Sequence, residues 1–286
     1  MHGLSIIIPS KNEEDSLPIL LNRITLALQN KGVKYETILI DDGSTDNTLF
    51  LTNKLKGQYP NLQIHKNPVT IGRIASLFKG FKLAKYDLIL TIDADLQYPP
   101  DYIPFMLTEM KKGYDIIIGN RQEYKVSLKR KKISTSYTFL FARYLNDLNY
   151  DVLSGLKLFR KEIIERIKIS PGTWTFDLEL LLKSREAGYT IGSIDIIFDK
   201  RHSGKSKIGL ITSLIQMTWT ALKLKFTASE IIQFHPRQEA KKGKGFHYKK
   251  AEFVHHSMLD HKESAFHTAE SKQKIIIALA VLYLSP

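Results

Sequence analysis

The sequence predicts an α/β fold, a doubly wound and mostly parallel β-sheet flanked by helices. Short runs rich in Ile and Leu alternate with longer segments whose apolar residues recur at helical spacing, and this order continues through about residue 121. The connections between these segments are short, as they are in β-α-β units. Polar and acidic residues follow the apolar runs directly, which is where such sheets bind ligands.

Five apolar runs in the first half of the chain predict the strands. Each run is short, rich in Ile and Leu and closed by a polar residue, a pattern typical of buried parallel strands. In chain order the runs are LSIIIPS (4–10), YETILIDD (35–42), LQIHKN (62–67), YDLILTIDAD (86–95) and YDIIIGNR (114–121).

Four helices are predicted between these strands. Their apolar residues recur every three or four positions, Gly and Pro close the second helix, and Pro begins the fourth. In chain order the helical segments are EEDSLPILLNRITLALQN (13–30), TLFLTNKLKG (48–57), TIGRIASLFKGFKLAK (70–85) and PPDYIPFMLTEMKKG (99–113).

The alternation is less regular in the second half. TSYTFLFARYL (135–145) and TWTFDLELLLKSREAG (173–188) predict helices, and YTIGSIDIIFD (189–199) predicts a strand. DVLSGLKLFRKEIIERI (151–167) reads as a strand or turn followed by a helix. A basic, glycine-containing loop, KRHSGKSKIG (200–209), comes next.

Three regions follow from this pattern: an α/β domain at 1–207, amphipathic helices at 208–234 and a basic, His-rich tail at 235–286. The middle region is apolar, but Lys, Glu and Gln interrupt it, which favours a membrane interface over a bilayer span. An ordinary helix covering the core is the alternative. The apolar run at 275–284 is too short to cross a bilayer, and either docks or begins a membrane segment.

The composition points to an anionic partner. The net charge is +13, which suits a nucleic acid, a phosphorylated small molecule or an anionic membrane surface. The basic residues lie in loops and in the tail and are not interleaved with aromatic residues, which disfavours nucleic acid. There is no cysteine, so disulfides and thiolate metal sites are excluded. The sequence also lacks the glycine-rich motifs of dinucleotide-binding and P-loop proteins.

Two acidic pairs follow predicted strands. Asp93 and Asp95 would repel each other unless a cation lies beside them, and hard carboxylate oxygens suit Mg²⁺ or Mn²⁺ bound to a diphosphate. The alternative is a solvated turn that caps the next helix. Asp41 and Asp42 are placed to accept hydrogen bonds from a ribose or a base, and Asp46 offers a helix cap instead.

Four segments carry a resemblance to a known family: SIIIPSKNEEDSL, ILIDDGSTDNT, LTIDADLQYPP and IIIGNR, in this order. They resemble the family 2 glycosyltransferases of GT-A fold. DVLSGLKLFRKEII and RHSGKSK resemble the later motifs of one subgroup, the polyprenyl-phosphate sugar synthases of the dolichyl-phosphate mannose synthase type. The resemblance covers roughly residues 4–225.

For the sugar donor, the resemblance implies a nucleotide pocket, a metal site and a closing loop. The pocket would be lined by Pro9, Asn12 and Glu13, with Asp41 on the base or ribose and Asp42 beside it. The metal, Mg²⁺ or Mn²⁺, would be held by Asp93, Asp95 and Gln97. The loop would close over the donor phosphates through Arg201, Ser206 and Lys207. Ser203 stands where the family often has a second basic residue, and Lys205 is the candidate substitute.

For the acceptor, the resemblance implies a lipid phosphate held by Arg121, Arg130 and Ser134. Ser154 and Gly155 would shape the sugar and acceptor site, and the acidic base would be Asp177 or Glu179. The resemblance thus makes Asp95, Arg121 and Asp177 the candidate catalytic residues. A phosphate acceptor is already anionic at neutral pH, so it has little need of the base.

The predicted function is an inverting, metal-dependent glycosyltransferase. It would move a hexose-type sugar from a UDP- or GDP-linked donor to a polyprenyl phosphate, dolichyl or undecaprenyl, at the cytoplasmic face of a membrane, peripherally or anchored through its C-terminal region. One alternative is a transferase of the same family that acts on a glycan, a protein or a lipid-linked oligosaccharide. An alternative from another class is a basic nucleic-acid-binding protein.

Overall fold

The computed structural model describes residues 3–124, 150–169 and 176–202, without the side chains of residues 122–124. All described residues lie in the first of the two units into which the chain divides, Met1–Phe234. The predicted helix at 135–145, the interfacial helices and the tail therefore fall outside the described residues. The same is true of six residues singled out above: Arg130, Ser134, Ser203, Lys205, Ser206 and Lys207.

Within the described ranges, seven strands form one sheet in the order β3-β2-β1-β4-β6-β5-β7. Every neighbouring pair is parallel except the two that involve β6, which runs antiparallel to β4 and β5. The strands are β1 Leu4–Ser10, β2 Tyr35–Asp41, β3 Leu62–Lys66, β4 Leu88–Thr91, β5 Ile116–Tyr124, β6 Lys157–Arg160 and β7 Ile191–Phe198. The prediction of a mostly parallel α/β sheet is confirmed, and the reversed strand β6 was not foreseen.

Six helices and one 3₁₀ turn accompany the sheet in the part of the chain that is described. The helices are α1 Ser16–Leu28, α2 Thr48–Leu55, α3 Arg73–Leu83, α4 Ile103–Lys111, α5 Lys161–Arg166 and α6 Phe176–Glu186, and the 3₁₀ turn is Pro100–Tyr102. Helix α4 begins later than predicted because Pro99 is held in an extended conformation, with ψ 123°, and the 3₁₀ turn follows it. Within the described ranges, every helix falls short of the length and hydrophobicity that a bilayer crossing requires.

Apolar layers cover both faces of the sheet. Helices α1 and α4 pack with residues such as Ile6, Ile8 and Leu90 in one continuous core. On the opposite face, helix α3 lies so close to β1 that a side chain at Gly80 would collide with Ile7. An aromatic cluster joins α3 to α6 there, with ring centroids 5.4–5.9 Å apart, and consists of Phe78, Phe81, Phe159 and Phe176.

The topology brings polar residues from distant parts of the chain to one edge of the sheet. The parallel strands β1, β2, β4, β5 and β7 all end at this edge, as predicted for an open α/β sheet. Because β6 runs the other way, the residues just before it reach the same edge. We call this edge the carboxyl rim, and the site described below is built on it.

Candidate active site

The two aspartates after β4 lie in a tight turn of the carboxyl rim. Leu96, which follows Asp95, has a φ of 62°, a left-handed conformation that is uncommon for a branched side chain. The turn is held in place because the Gln97 amide donates to Asp95 Oδ1 at 3.2 Å and the Leu96 side chain is buried. The backbone strain is thus balanced by packing, which fixes the direction of both carboxylates.

Each of these carboxylates is paired with an arginine. Asp93 Oδ1 accepts a hydrogen bond from Arg73 Nε at 2.7 Å, and Asp95 Oδ2 lies 2.8 Å from Arg201 Nη2. Arg201 also donates to Glu13 Oε1 at 3.2 Å. Burial, together with the neighbouring Asp93, raises the pKa of Asp95 to about 6 despite the charge of Arg201. Each carboxylate of the turn thus has a cationic partner, and burial still disfavours the charged form of Asp95.

The donor atoms fit a hard divalent cation. Magnesium is typically held by one or two carboxylates together with substrate phosphates and water, and Asp93 and Asp95 supply such a pair. Among the residues that the structure describes, no group of three or more His, Cys, Asp or Glu side chains is arranged to hold a metal ion. Two carboxylates in one turn match a cation that arrives with a diphosphate.

Gln97, expected as a further metal ligand, connects two loops of the rim. Its Nε2 donates to the carbonyl of Asp199 at 3.1 Å, and the Asp199 amide donates back to the Gln97 carbonyl at 3.0 Å. These bonds join the turn after β4 to the end of β7, next to Arg201. The role of Gln97 as a ligand stays a prediction, and its structural role is to hold the aspartate turn against β7.

Two polar atoms at the ends of β1 and β2 lack partners. Ser10 and Asp41 are opposite each other in the parallel register, and both are buried. Asp41 Oδ2 accepts from the Ser44 amide at 3.3 Å, but Asp41 Oδ1 and Ser10 Oγ have no hydrogen-bond partner. An unsatisfied buried polar group costs about 1–3 kcal/mol. The pair therefore marks a place where a ligand can supply hydrogen bonds.

Asp42, grouped with Asp41 in the sequence, holds the loop before α3. Its Oδ1 accepts from the Ile71 amide at 2.8 Å and from Asn67 Nδ2 at 3.0 Å, and its Oδ2 accepts from the Gly72 amide at 2.9 Å. Both oxygens are thus engaged by the protein. The expected role of Asp42 on the nucleotide stays a prediction, while its structural role is to position the start of α3.

The loop after β1 contains the other residues expected in the nucleotide pocket. Pro9 is buried within β1, opposite Ile40. Asn12 has a φ of 53°, which Asn tolerates better than most residues, and its Oδ1 accepts from the Thr45 amide at 2.8 Å. Glu13 accepts from Ser16 Oγ at 2.7 Å as well as from Arg201. The structure thus brings this loop, the turn after β2 and Arg201 together.

On the far side of the rim, Arg121 forms a buried, bidentate ion pair with Asp151. Arg121 Nη2 donates to Asp151 Oδ1 at 2.7 Å, and Nε donates to Oδ2. The guanidinium lies 5.0 Å from the centre of the Phe198 ring. Arg121 was expected to hold the acceptor phosphate, and the structure describes its carboxylate partner instead. Asp151 was not predicted.

Gly155 lies directly against the aspartate turn. Its amide donates to Tyr98 Oη at 2.7 Å, and burial raises the pKa of Tyr98 above its ordinary range. A Cβ at this position would lie 3.0 Å from Asp93 Cγ and 3.0 Å from Tyr98 Cε2, and closer still to Asp93 Oδ2. Glycine is therefore required at position 155 for this close approach. Ser154, the residue before it, is buried, and its Oγ accepts from the Leu156 amide at 3.3 Å.

Of the two acidic residues on α6 that the sequence singled out, Asp177 faces the site and Glu179 does not. Asp177 Oδ1 lies 2.7 Å from Lys157 Nζ, and Asp177 Oδ2 lies 3.6 Å from Arg73 Nη1. Glu179 is buried in a pair with Lys183, at 2.5 Å. A chain of alternating charges thus runs from Lys157 through Asp177 and Arg73 to Asp93.

Lys157 is fully buried at the start of β6. Besides Asp177, its ammonium donates to the carbonyls of Ser154 and, at 3.3 Å, of Val152. Burial lowers the pKa of Lys157, and Asp177 opposes this effect. These contacts fix the backbone just before β6, including Gly155.

Replacing Lys157 by Met is expected to reduce the free energy of unfolding by about 3 kcal/mol, because removal of one partner of a buried ion pair leaves the other uncompensated. Urea denaturation monitored by circular dichroism measures the change. Lys161→Met is the matched control, since Lys161 forms a looser pair with the exposed Glu165, at 3.5 Å, and should change stability by less than about 0.5 kcal/mol. Equal effects of the two substitutions would contradict the role of Lys157.

Three residues of the site were missed in the sequence: Arg73, Asp151 and Lys157. Arg73 lies in a segment whose helical period explains it without a function, and Lys157 interrupts the apolar run LKLF. A lysine inside an otherwise buried strand was the one available signal, because such a lysine needs an acidic partner.

Comparisons with known proteins bear on the family and the fold of the chain. Residues 5–168 match the family described as Glycosyl transferase family 2. The chain is 30% identical over 213 residues to a dolichol-phosphate mannosyltransferase of Pyrococcus furiosus, a match that covers 72% of this chain and 59% of the relative. The chain thus spans less than two thirds of that relative's length.

Similar solved structures include glucosyl-3-phosphoglycerate synthase from Mycobacterium tuberculosis. In complex with Mn²⁺, UDP-glucose and phosphoglyceric acid, it has a TM-score of 0.63 and 18% identity, with 78% of this chain and 80% of that chain covered. In complex with Mg²⁺ and UDP, the TM-score is 0.62, again with 18% identity, and the coverage is 78% and 79%. At this level of identity the likeness establishes a shared GT-A-like fold.

Proposed function

The chain belongs to glycosyl transferase family 2, and on this premise we propose that it transfers a sugar from a nucleoside-diphosphate donor to a polyprenyl phosphate. The observation that carries the proposal is the arrangement of Asp41, Asp93 and Asp95 along one rim. The polar atoms without a hydrogen-bond partner, on Ser10 and Asp41, lie at the ends of β1 and β2. The carboxylates of Asp93 and Asp95 follow β4, the strand next to β1. This order matches the order of nucleoside and diphosphate in such a donor.

In this proposal the donor's ribose or base donates hydrogen bonds to Asp41 Oδ1, and Ser10 Oγ offers a second contact. Asp93 and Asp95 would hold Mg²⁺ or Mn²⁺, which would supply positive charge to stabilise the diphosphate leaving group. Arg201 lies beside Asp95 and adds further positive charge at the same place. The metal and the UDP of the structurally similar synthase support this assignment by analogy.

The transfer itself is an inverting displacement. An oxygen of the acceptor phosphate forms a bond to the anomeric carbon while the bond from that carbon to the donor's diphosphate oxygen breaks. The electron pair of the broken bond leaves with the nucleoside diphosphate. Because the acceptor phosphate is already anionic, no proton has to be removed, and the contacts of Asp177 with Lys157 and Arg73 are consistent with a positioning role.

The chemistry of phosphate binding and the positive charge of the chain support a lipid phosphate as the acceptor. A guanidinium binds phosphate in a bidentate manner, and Arg121 lies at the rim on the far side of β6 from Asp41. To bind the acceptor phosphate, Arg121 would exchange its bidentate pair with Asp151 for it. The net charge of +13 and the amphipathic segment at 208–234 support an anionic lipid surface as the place of reaction. We propose the cytoplasmic membrane face as the place of reaction. The name of the Pyrococcus relative, a dolichol-phosphate mannosyltransferase, supports a polyprenyl phosphate as the acceptor.

The test uses the full-length chain with UDP- and GDP-linked sugars, Mn²⁺ or Mg²⁺, and three acceptors: a polyprenyl phosphate, phosphoglyceric acid and a glycan. The expected product is radiolabelled, extracts into organic solvent and is released by mild acid. Chelation with EDTA should abolish its formation, and added Mn²⁺ should restore it. Water-soluble product alone would reject the lipid acceptor in favour of another acceptor used by the family.

A further inference from the structure

The proposed function gives no role to Arg73, a cationic residue of the site. The other arginine of the aspartate turn, Arg201, was expected to act on the donor phosphates. Arg73 is the first residue of α3, and its position is fixed by Gly72, whose φ is 92° and whose amide is held by Asp42. Its Nε donates to Asp93 Oδ1 at 2.7 Å, so it contacts one of the two carboxylates that the metal needs.

Arg73 is firmly anchored from its other side. Its Nη1 lies 3.6 Å from Asp177, which is itself paired with the buried Lys157. The guanidinium thus bridges Asp93 and Asp177, and it would keep Asp177 as a partner if it left Asp93.

The two carboxylates of the aspartate turn need positive charge beside them. Asp93 and Asp95 are separated by one residue, both are partly withdrawn from water, and their charges repel each other. A fold that forms before metal binds has to supply counter-cations. Arg73 does this for Asp93 and Arg201 does it for Asp95.

We propose that Arg73 is an internal counter-cation that takes the place of the divalent cation at Asp93 and competes with it. The inference rests on the proposed function, because it takes Asp93 to be a metal ligand. A carboxylate oxygen that accepts a charged N–H at 2.7 Å loses much of its attraction for a second cation, and Asp93 Oδ2 is confined by Gly155. A divalent cation at Asp93 would therefore require the Arg73 guanidinium to leave Asp93 Oδ1.

The test measures binding of Mn²⁺ alone to the full-length chain, with free Mn²⁺ detected by electron paramagnetic resonance. Arg73→Gln removes the competing charge and is expected to tighten Mn²⁺ binding by about tenfold, since like charges a few ångströms apart interact strongly at a partly buried site. Arg73→Lys keeps the charge and should stay within about twofold of wild type. Arg160→Gln is the matched control, because Arg160 Nε donates to Asp115 Oδ1 at 2.9 Å with similar exposure, 28% against 32% for Arg73.

The outcomes separate this inference from the function on which it rests. Weaker or unchanged Mn²⁺ binding in Arg73→Gln, with binding by the wild type intact, would mean that Arg73 merely supports Asp93 and would overturn the inference alone. Absence of Mn²⁺ binding by the wild type would overturn the metal assignment of the proposed function as well. Equal tightening in Arg160→Gln would point to a general effect of net charge and would also overturn the inference.

A second measurement does not depend on the folding of Arg73→Gln. In the wild-type protein, the Nε–H resonance of Arg73, assigned by its disappearance in Arg73→Lys, should shift when Mg²⁺ is added. The Nε–H resonance of Arg160 should stay in place. An Arg73 resonance that remains unchanged at saturating Mg²⁺ would show that the arginine keeps its bond to Asp93, and the proposed exchange would be wrong.

Discussion

Asp95→Asn is expected to lower kcat/KM by about a thousandfold, the scale on which loss of one preorganised charge-stabilising group acts. The substitution keeps the size of the side chain and removes the charge that pairs with Arg201 and that would hold the metal beside Asp93. Stability should change little, because the neutral amide side chain relieves the repulsion from Asp93 at the same time as it weakens the contact with Arg201.

The measurement combines a radiochemical assay of sugar transfer with Mn²⁺ titration of the same protein. Asp101→Asn is the control, since Asp101 is an exposed aspartate in the next turn of the chain that pairs with Arg23. It should leave both activity and Mn²⁺ affinity unchanged. If Asp95→Asn turned over the donor at the wild-type rate, the assignment of the aspartate turn as the diphosphate site would be wrong.

Gly155→Ala is expected to have the second-largest effect, a loss of about a hundredfold in kcat/KM, because a misplacement of a catalytic group by about 1 Å can cost that much. The added methyl group would collide with the Asp93 carboxylate and press on Tyr98. Either the turn after β4 or the chain before β6 has to shift. Overpacking of this kind also costs about 1–3 kcal/mol of stability.

The matched control for this substitution is Gly57→Ala, because no atom lies within 4 Å of a Cβ built at Gly57. Steady-state kinetics and thermal unfolding on both variants separate the two effects. Gly155→Ala should lose activity at temperatures where it is still folded, while Gly57→Ala should match the wild type. Kinetics of Gly155→Ala equal to those of Gly57→Ala would refute the close approach of Gly155 to Asp93.

The sequence was sufficient to predict the parts of the fold that depend on local pattern. Apolar runs closed by polar residues marked β1 to β5 and β7, and the aspartates after β2 and β4 indicated the rim at which ligands bind. The resemblance then supplied the family, which the comparison confirms. These features depend on residues that are neighbours in the sequence, so the local pattern is enough to predict them.

The sequence was not sufficient where contacts join distant segments. The pairs of Arg73 with Asp93, Arg121 with Asp151 and Lys157 with Asp177 span 20 to 30 residues, and each depends on the order of strands in the sheet. The four residues of β6 were too few to reveal that the strand is reversed. Strand β5 continues beyond Arg121 because β7 pairs with it as far as Tyr124.

The two neighbouring aspartates after β2 illustrate the same limit. Asp41 and Asp42 are equivalent by composition, yet one presents an unpaired oxygen near Ser10 and the other is fully engaged by the loop before α3. Successive residues of an extended chain point in opposite directions. Strand β1 and the loop before α3 decide which of the two side chains faces the ligand, and both are distant from Asp41 and Asp42 in the sequence.

The reversed direction of β6 has a consequence for how proteins of this architecture can diversify. Because β5 and β6 are antiparallel neighbours, β5 ends and β6 begins at the same rim, so the segment that joins them starts and finishes there. In the proposed function this is the side of the acceptor, and insertions, deletions and new sequences in the segment would alter what is recognised there without changing any strand of the sheet. The last residues of the segment are the exception, because Gly155 lies against Asp93 of the aspartate turn. The half of the rim formed by β2, β1 and β4 otherwise lies outside such changes.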